Sequence, residues 1–540
     1  MVPLGVTHFA LPTLACQRSV ALLRPAGPSD SIRFPKKTSA AAVSVRTAME
    51  SEGKPSDATQ VAAVDSPAMA MEDEMQGLNV ETSLLSLPDD DLLSVLEYLS
   101  TRDLLSCRAV CHRLRDVALR PELWRRRSID FGQRDASTAS LRPAVLRVAP
   151  CASSLSMWFE GRSDALGTLA ATTRCAAAEL IIYVDNDPAR LEAAKLAIRN
   201  QAALGMLRTL DVRVVAHKSN DIHAADLLAE ACSTQGLARL VVDVSYGIRW
   251  CKGAGPSPLI PASIKEVALR NVDPRFVHRV LRSHAATLQA VQLRGNCQGV
   301  APLLAAIPGL QRLECPVMED LPLVAKCASL RSLKLAVVYC RDEAAFQAAA
   351  AFLRAATHLE ELQLEYYSLG SVRVEQGLLT ALASSGRAAL RKLVYSCLIG
   401  FEDRLETELA SALPGLPALE WLVLPGTVPR RVLAAINPGS APRLRGLMIA
   451  NWTSEAGCLH ADMHEPDVSR VLASYSHFYL VVRNRSCRQE RQCEHCAKGC
   501  HGVPWPTGEA LVGFYTHEAP SREAADALSS GSPCKLWIKP

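Results

Sequence analysis

The sequence predicts an α/β chain: a small helical unit followed by a solenoid of strand and helix repeats, with parallel strands on the concave face and a disordered N-terminus. Three observations predict it. An apolar triplet, in which two residues and then one separate the apolar positions, recurs eleven times between Ala177 and Ile449. Helix-like segments such as 343–356 and 405–413 lie between triplets. The stretch from Leu87 to Ile129 has helical periodicity instead.

The helical stretch places Leu92, Val95, Leu96 and Leu99 at i, i+3, i+4 and i+7, on one helical face. Pro88 suits a first helical position, and Asp89 to Asp91 suit the positive end of a helix dipole. Ser100 or Thr101 can cap a second helix, along which Leu104, Cys107, Cys111 and Leu114 continue the apolar stripe. Pro121 interrupts it, and Trp124 follows. So short a set of helices cannot bury a large core and leans on a partner or a neighbouring domain.

The triplets run from Ala177/Leu180/Ile182 and Leu207/Leu210/Val212, through Leu359/Leu362/Leu364, to Leu444/Leu447/Ile449. Their first residues stand 20 to 31 residues apart. One unit cannot bury its own apolar face, so neighbours must stack into a continuous core. In each strand the leucines face that core and the alternate residues face the concave side.

Length and composition bound the function classes. A chain of 540 residues with 49% hydrophobic residues excludes wholesale disorder, and a net charge of +4 gives no electrostatic case for nucleic acid. Arg125 to Arg127 reads as a solvated helix end. The 18 cysteines are spread along the chain, many in apolar periodic segments, which fits buried free thiols in a reducing compartment. No apolar run is long enough to span a membrane.

Residues 1–48 hold six basic residues against the single acid Asp30. That is the composition of a mitochondrial transit segment, of a disordered tail, or of an extension upstream of a true start at Met49 or Met69. Residues 49–78 are acidic and without periodicity, as a linker is.

Leu87-Pro88 with a following acid, Leu-Leu-x-x-Leu-x-x-Leu, Asp103-Leu104-Leu105, Arg108-Ala109-Val110-Cys111 and Leu123-Trp124 together resemble an F-box. Leu114 stands where that family often has tryptophan. The triplet array resembles leucine-rich repeats, whose units run about 20 to 29 residues. That family commonly has asparagine or cysteine after the last leucine, a place Asn296, Cys340 and Cys397 can fill and many units leave without one.

The resemblance implies the substrate-receptor subunit of a cullin-type ubiquitin ligase: the F-box docks on a Skp-type adaptor, the adaptor joins a cullin, and the repeats hold the protein to be ubiquitinated. It implies that Leu87, Pro88, Leu92, Leu96, Leu99, Leu104, Val110, Cys111 and Leu114 supply the adaptor-binding surface or its supporting core. On the concave side Arg294, Lys334, Glu361, Gln363, Glu365 and Lys392 change sign along the array, and Trp421 is an aromatic anchor or packs under a turn. The expected organisation is an N-terminal segment and linker (1–78), F-box (79–130), connecting segment (131–175), solenoid (176–455), and a C-terminal cap with a Cys-rich tail (456–540).

Two rival readings stand beside this one. The chain can bind the adaptor as a scaffold without turnover. Alternatively, strands and helices over 176–250 form a doubly wound nucleotide-binding fold with Asp185 and Asp187 at a strand end, although no glycine-rich phosphate turn follows any of these strands. Cys487, Cys493, Cys496, Cys500, His495 and His501 offer zinc-type ligands with one CxxC step; they also read as free surface thiols in a basic, loop-rich tail, and no metal is assigned. No HExxH pair, GxSxG elbow or acid/base carboxylate pair is present. The expectation is therefore a non-enzymatic interaction protein without cofactor, nucleic acid or membrane, in the cytoplasm and/or nucleus.

Overall fold

The computed structural model describes residues 84–130, 142–159, 164–215, 221–222, 224–245, 249–250, 262–338, 343–367, 377–385, 389–397, 403–424, 430–449, 465–484, 510–516 and 534–538. The expected N-terminal segment and linker, the cysteine and histidine cluster at 487–501, and Cys340 lie outside the described residues.

Four short helices come first: α1 (Asp89–Glu97), α2 (Thr101–Cys107), α3 (His112–Ala118) and α4 (Pro121–Trp124). Strands follow as β1 (Ser128–Asp130), β2 (Cys151–Phe159), β3 (Ala176–Asp185), β4 (Thr209–Val215), β5 (Asp221–Ile222), β6 (Arg239–Val244) and β7 (Arg249–Trp250). The series continues with β8 (Glu266–Arg270), β9 (Ala290–Arg294), β10 (Arg312–Pro316), β11 (Ser332–Val338), β12 (Glu361–Tyr367) and β13 (Lys392–Cys397). It ends with β14 (Trp421–Leu424), β15 (Gly446–Ile449), β16 (Tyr479–Asn484), β17 (Ala510–Tyr515) and β18 (Cys534–Ile538).

Helices between the strands are α5 (Arg142–Val148), α6 (Asp164–Thr172), α7 (Pro188–Ala203), α8 (Ala225–Ser233), α9 (Pro274–His284) and α10 (Ala301–Ala305). Beyond them come α11 (Glu343–Ala355), α12 (Leu378–Ala383), α13 (Asp403–Ala412), α14 (Arg430–Ala435) and α15 (Pro466–Ser474).

Among the described residues sixteen strands form one sheet in chain order, with β5 and β7 pairing separately. Every neighbouring pair from β1 to β16 is parallel; β17 then turns antiparallel to β16. The register makes one continuous aliphatic row: Ile129, Leu155, Leu180, Leu210, Leu240, Val267, Val291 and Leu313, then Leu333, Leu362, Leu393, Leu422, Leu447 and Leu480. All of it is buried, in a single cluster with Val277 and Leu281 of α9, Phe346 and Leu353 of α11, and Leu405 and Leu409 of α13. The described residues are thus arranged as a solenoid-like α/β array: a sheet on one side, helices on the other, and a core that neither layer closes alone.

The array begins earlier and ends later than the sequence boundaries of 176 and 455. Ala152/Leu155/Met157 is itself a triplet, all three buried on β2, so the expected connecting segment contributes a full strand and the helices α5 and α6. Its serines at the alternate positions mask the apolar signal. At the far end β16 continues the parallel row with Leu480 and Val482, although His477 occupies the triplet's first place.

Strands β2, β3, β4, β6 and β8 lie in chain order without reversal, so the described residues form no switch-point crevice of the kind a doubly wound fold needs. Asp185 is ion-paired with Arg190, and Asp187 caps α7 by accepting from Ala189 N at 3.0 Å and Arg190 N at 3.2 Å. Both carboxylates are spent on the local turn.

Polar side chains stitch the layers where backbone groups would otherwise be orphaned. Gln201 of α7, fully buried, accepts from Ala177 N and donates to Cys175 O, both at 2.9 Å. Glu408 of α13 accepts from Gly377 N at 2.8 Å and from Leu379 N and Thr380 N at 3.0 Å, so it caps the neighbouring helix α12. Gly377 has a φ of 136° and no side chain of its own to do so.

Candidate functional site

Two surfaces qualify: the outside of the four-helix unit and the sheet face opposite the helices. The helical unit is built around Leu92, Leu96, Leu104, Leu114, Val117, Leu123 and Trp124, all buried. Trp124 is fully enclosed and its indole N–H donates to Ala118 O at 2.7 Å. Ser100 caps α2, accepting from Asp103 N at 3.2 Å, and the Cys111 thiol caps α3, accepting from Leu114 N at 3.4 Å.

Charges lock the unit at both ends of α1. Asp89 pairs with Arg113 at 2.9 Å and with Arg120, and the hydrogen bond from Arg113 holds its carboxyl below the usual carboxylate range. Arg113 also donates to Leu87 O at 2.7 Å and to Leu85 O. Arg127 closes the other end, donating to Leu99 O at 2.7 Å and Glu97 O at 3.2 Å. The arginine run is therefore not simply a solvated helix end: Arg127 satisfies carbonyls that terminate α1.

This geometry divides the adaptor-binding residues expected from sequence. Leu92, Leu96, Leu104 and Leu114 belong to the supporting core, facing inward and leaving nothing exposed for a second chain. Leu87, Leu99 and Cys111 are half-buried, Cys111 as a cap, while Pro88 is exposed. Val110 is 69% exposed at the turn between α2 and α3. Sequence reasoning missed Tyr98, 92% exposed, and placed Val95 on the inward face although it is 43% exposed. The signal was the angle: Val95 lies about 60° outside the Leu92–Leu96 stripe at about 100° per residue. With Leu84 and Leu85, five of the seven large apolar side chains exposed among the described residues belong to 84–110.

On the open face of the sheet the alternate residues form a second set of rows. Arg294 and Lys334 bridge Glu314 and Glu365: Arg294 lies 2.7 Å from Glu314 and 3.8 Å from Glu365, and Lys334 lies 3.7 Å from Glu314 and 2.9 Å from Glu365. Gln363 is in register with Lys334, and Glu361 accepts from the Ser332 hydroxyl at 3.2 Å and neighbours Lys392. The alternation of sign along the array is thus largely neutralised within the sheet.

Trp421 is not a free anchor. It is half-buried, stacks with Tyr479 at 6.3 Å and 21°, and packs against Val423, Met448 and Val481. Gly446 stands between the two rings in register, and its missing side chain lets them meet across a strand. At the opposite end Trp158 stacks on Tyr183 at 3.8 Å and 10°, and Arg213 lies 5.0 Å above the Tyr183 ring while paired with Asp211 at 2.8 Å. Sequence reasoning missed this platform, which sits at the third outward position of consecutive strands.

Asn296 is exposed and accepts from Gln298 N at 3.2 Å in its own turn, so it orders that turn alone. Among the described residues no group of three or more His, Cys, Asp or Glu could hold a metal ion, and no helix is long and apolar enough to cross a membrane.

Residues 84–130 match the F-box-like family model. The chain is also similar to a solved structure described as the crystal structure of the Rad7 and Elc1 complex in yeast, at 14% identity over 70% of this chain and 96% of that one, with a TM-score of 0.35. No curated protein matches the chain.

Proposed function

We propose that this chain is the substrate-recognition subunit of a cullin-type ubiquitin ligase. The F-box-like unit binds a Skp-type adaptor, and the sheet, whose units we read as leucine-rich repeats, holds the protein to be ubiquitinated. One observation carries the reading: the stretch matched by the F-box-like family model also concentrates the exposed apolar side chains, Tyr98 and Val110 foremost, on a unit whose own core is complete behind them. Exposed apolar groups gathered on one small element mark a surface for another chain.

On this reading the chain makes and breaks no bond itself. It raises the effective concentration of substrate lysines near the charged conjugating enzyme, a contribution of proximity. It needs no cofactor, and it works in the cytoplasm and/or nucleus, where such ligases act.

The test is co-purification with a Skp-type adaptor of the intact chain and of a variant carrying Val95→Glu, Tyr98→Glu and Val110→Glu. Because these side chains are outside the core, the variant keeps its fold by circular dichroism and loses the adaptor. An adaptor never recovered with the intact chain, or recovered equally with both, sinks the reading. A scaffold that binds the adaptor without turnover passes this test and fails a second: the lifetime of captured partners is then unchanged when the receptor is removed.

A further inference from the structure

The open face has a depression of about 190 Å³ near its centre, across β6, β8, β9, β10, β11 and β12. Its floor is Ala268 and Ala290, the two alanines among its lining residues, and both are buried. Arg312 reaches across Ala290 to Glu266 at 2.5 Å, which a larger side chain at 290 would prevent. Arg239 approaches the same Glu266 only to 3.9 Å, and no hydrogen bond of its guanidinium is found among the described residues.

The charges facing the depression are Arg239, Arg312 and Lys334 against Glu266 and Glu314, an excess of one positive charge. Lys334 is already held by Glu365 at 2.9 Å, and Glu314 by Arg294 at 2.7 Å. The unspent donors are therefore on Arg239 and Arg312, half exposed at 50% and 58%. Gln292, on β9 in register with Ala268, and Gln363, on β12 in register with Lys334, present two carboxamides to the same open face, and neither has a side-chain hydrogen bond among the described residues. An unpaired primary amide on an open sheet offers a donor and an acceptor together, the complement of one peptide group.

We propose that this depression holds an extended segment of a partner protein by one acidic side chain. Its carboxylate is received by Arg239 and Arg312 over the alanine floor, while Gln292 and Gln363 bond the segment's backbone. A guanidinium pair suits a carboxylate because its N–H groups bond both oxygens at once. The single excess charge matches one carboxylate, whereas a phosphoryl group of nearly two negative charges would face Glu266 and Glu314 uncompensated. The proposal rests on reading the sheet as the substrate-holding part, yet it concerns the depression alone and does not depend on adaptor binding.

The experiment selects peptides from a display library of random linear sequences on the purified full chain and measures their affinity by fluorescence anisotropy. Selected peptides are expected to share an Asp or Glu at one position, and changing it to Asn or Gln weakens binding at least about tenfold, ~1.4 kcal/mol. Arg239→Gln and Arg312→Gln each weaken binding similarly. Arg312→Glu reverses the preference toward a lysine-bearing peptide, a rescue that a misfolded variant does not give. Arg275→Glu, a charge reversal on the helix side, changes nothing. Selection of no peptide, selection without a shared acid, unchanged affinity in both glutamine variants, or tighter binding of the phosphoserine counterpart overturns the proposal. Adaptor recovery on the same preparations separates this failure from failure of the ligase reading.

Discussion

Glu408→Ala is the sharpest test of how neighbouring units hold one another. The carboxylate is buried on α13, and one of its oxygens accepts three backbone N–H groups from the start of α12. Gly377, with its positive φ, makes no side-chain cap, so removing Glu408 strands all three donors. Loss of an ordinary N-cap costs about 0.5–2 kcal/mol. Hydrogen bonds to a charged group are worth about 1.5–3 kcal/mol. The three bonds share one acceptor and are not additive, so a total of about 3 kcal/mol is expected. In an array coupled through nearest neighbours the loss is local. Amide hydrogen exchange should therefore show protection falling at Leu379, Thr380 and the rest of α12, while β3 and α7 keep theirs. Urea unfolding should show the part of the array around α12 melting earlier. Unchanged exchange over α12 would refute the inference that one unit's carboxylate caps its neighbour.

Three further outcomes follow from the geometry. Gly415→Ala places a methyl 2.7 Å from Ala383 Cβ and 2.8 Å from its carbonyl oxygen, so thermal denaturation should show a loss of about 1–3 kcal/mol from overpacking. Burial pushes the His284 imidazole below its ordinary value, which means the folded state binds its proton less readily than the unfolded chain. The stabilisation is complete above about pH 6.5 and declines as pH falls below it, and His284→Phe should flatten that part of a stability profile measured by urea titration. Burial also pushes Cys175, Cys232 and Cys297 up to about 12. Mass spectrometry after iodoacetamide treatment at neutral pH should find these three unlabelled in the folded chain and labelled in denaturant.

Much of the repeat was legible because its signal is local and periodic. Leucines such as Leu362 and Leu364 sit two residues apart on the buried face, and the pattern repeats at a spacing that stacking requires. Where one position changed character the pattern was lost. The serines of β2 and the histidine before β16 hid two strands that the register places in the same row as their neighbours.

The site was less legible. An amphipathic stripe gives the direction of burial but not its edge, so Leu104 and Val110 were grouped although one is enclosed and the other open. Across the sheet, contacts join residues separated by a whole repeat. Arg312 and Glu266 are an example, 46 positions apart and brought together because Ala290 leaves the space between them empty.

What the sequence determined by itself is therefore the unit: a helical start, then an apolar triplet and a helix repeated until stacking closes the core. Tertiary structure alone decided which apolar groups of the helical unit stay outside, which carboxylates are consumed as caps, and that Trp421 rests on Tyr479. Periodicity is written along the chain, whereas the pairing of side chains from different repeats depends on register, and register exists only once the strands lie side by side.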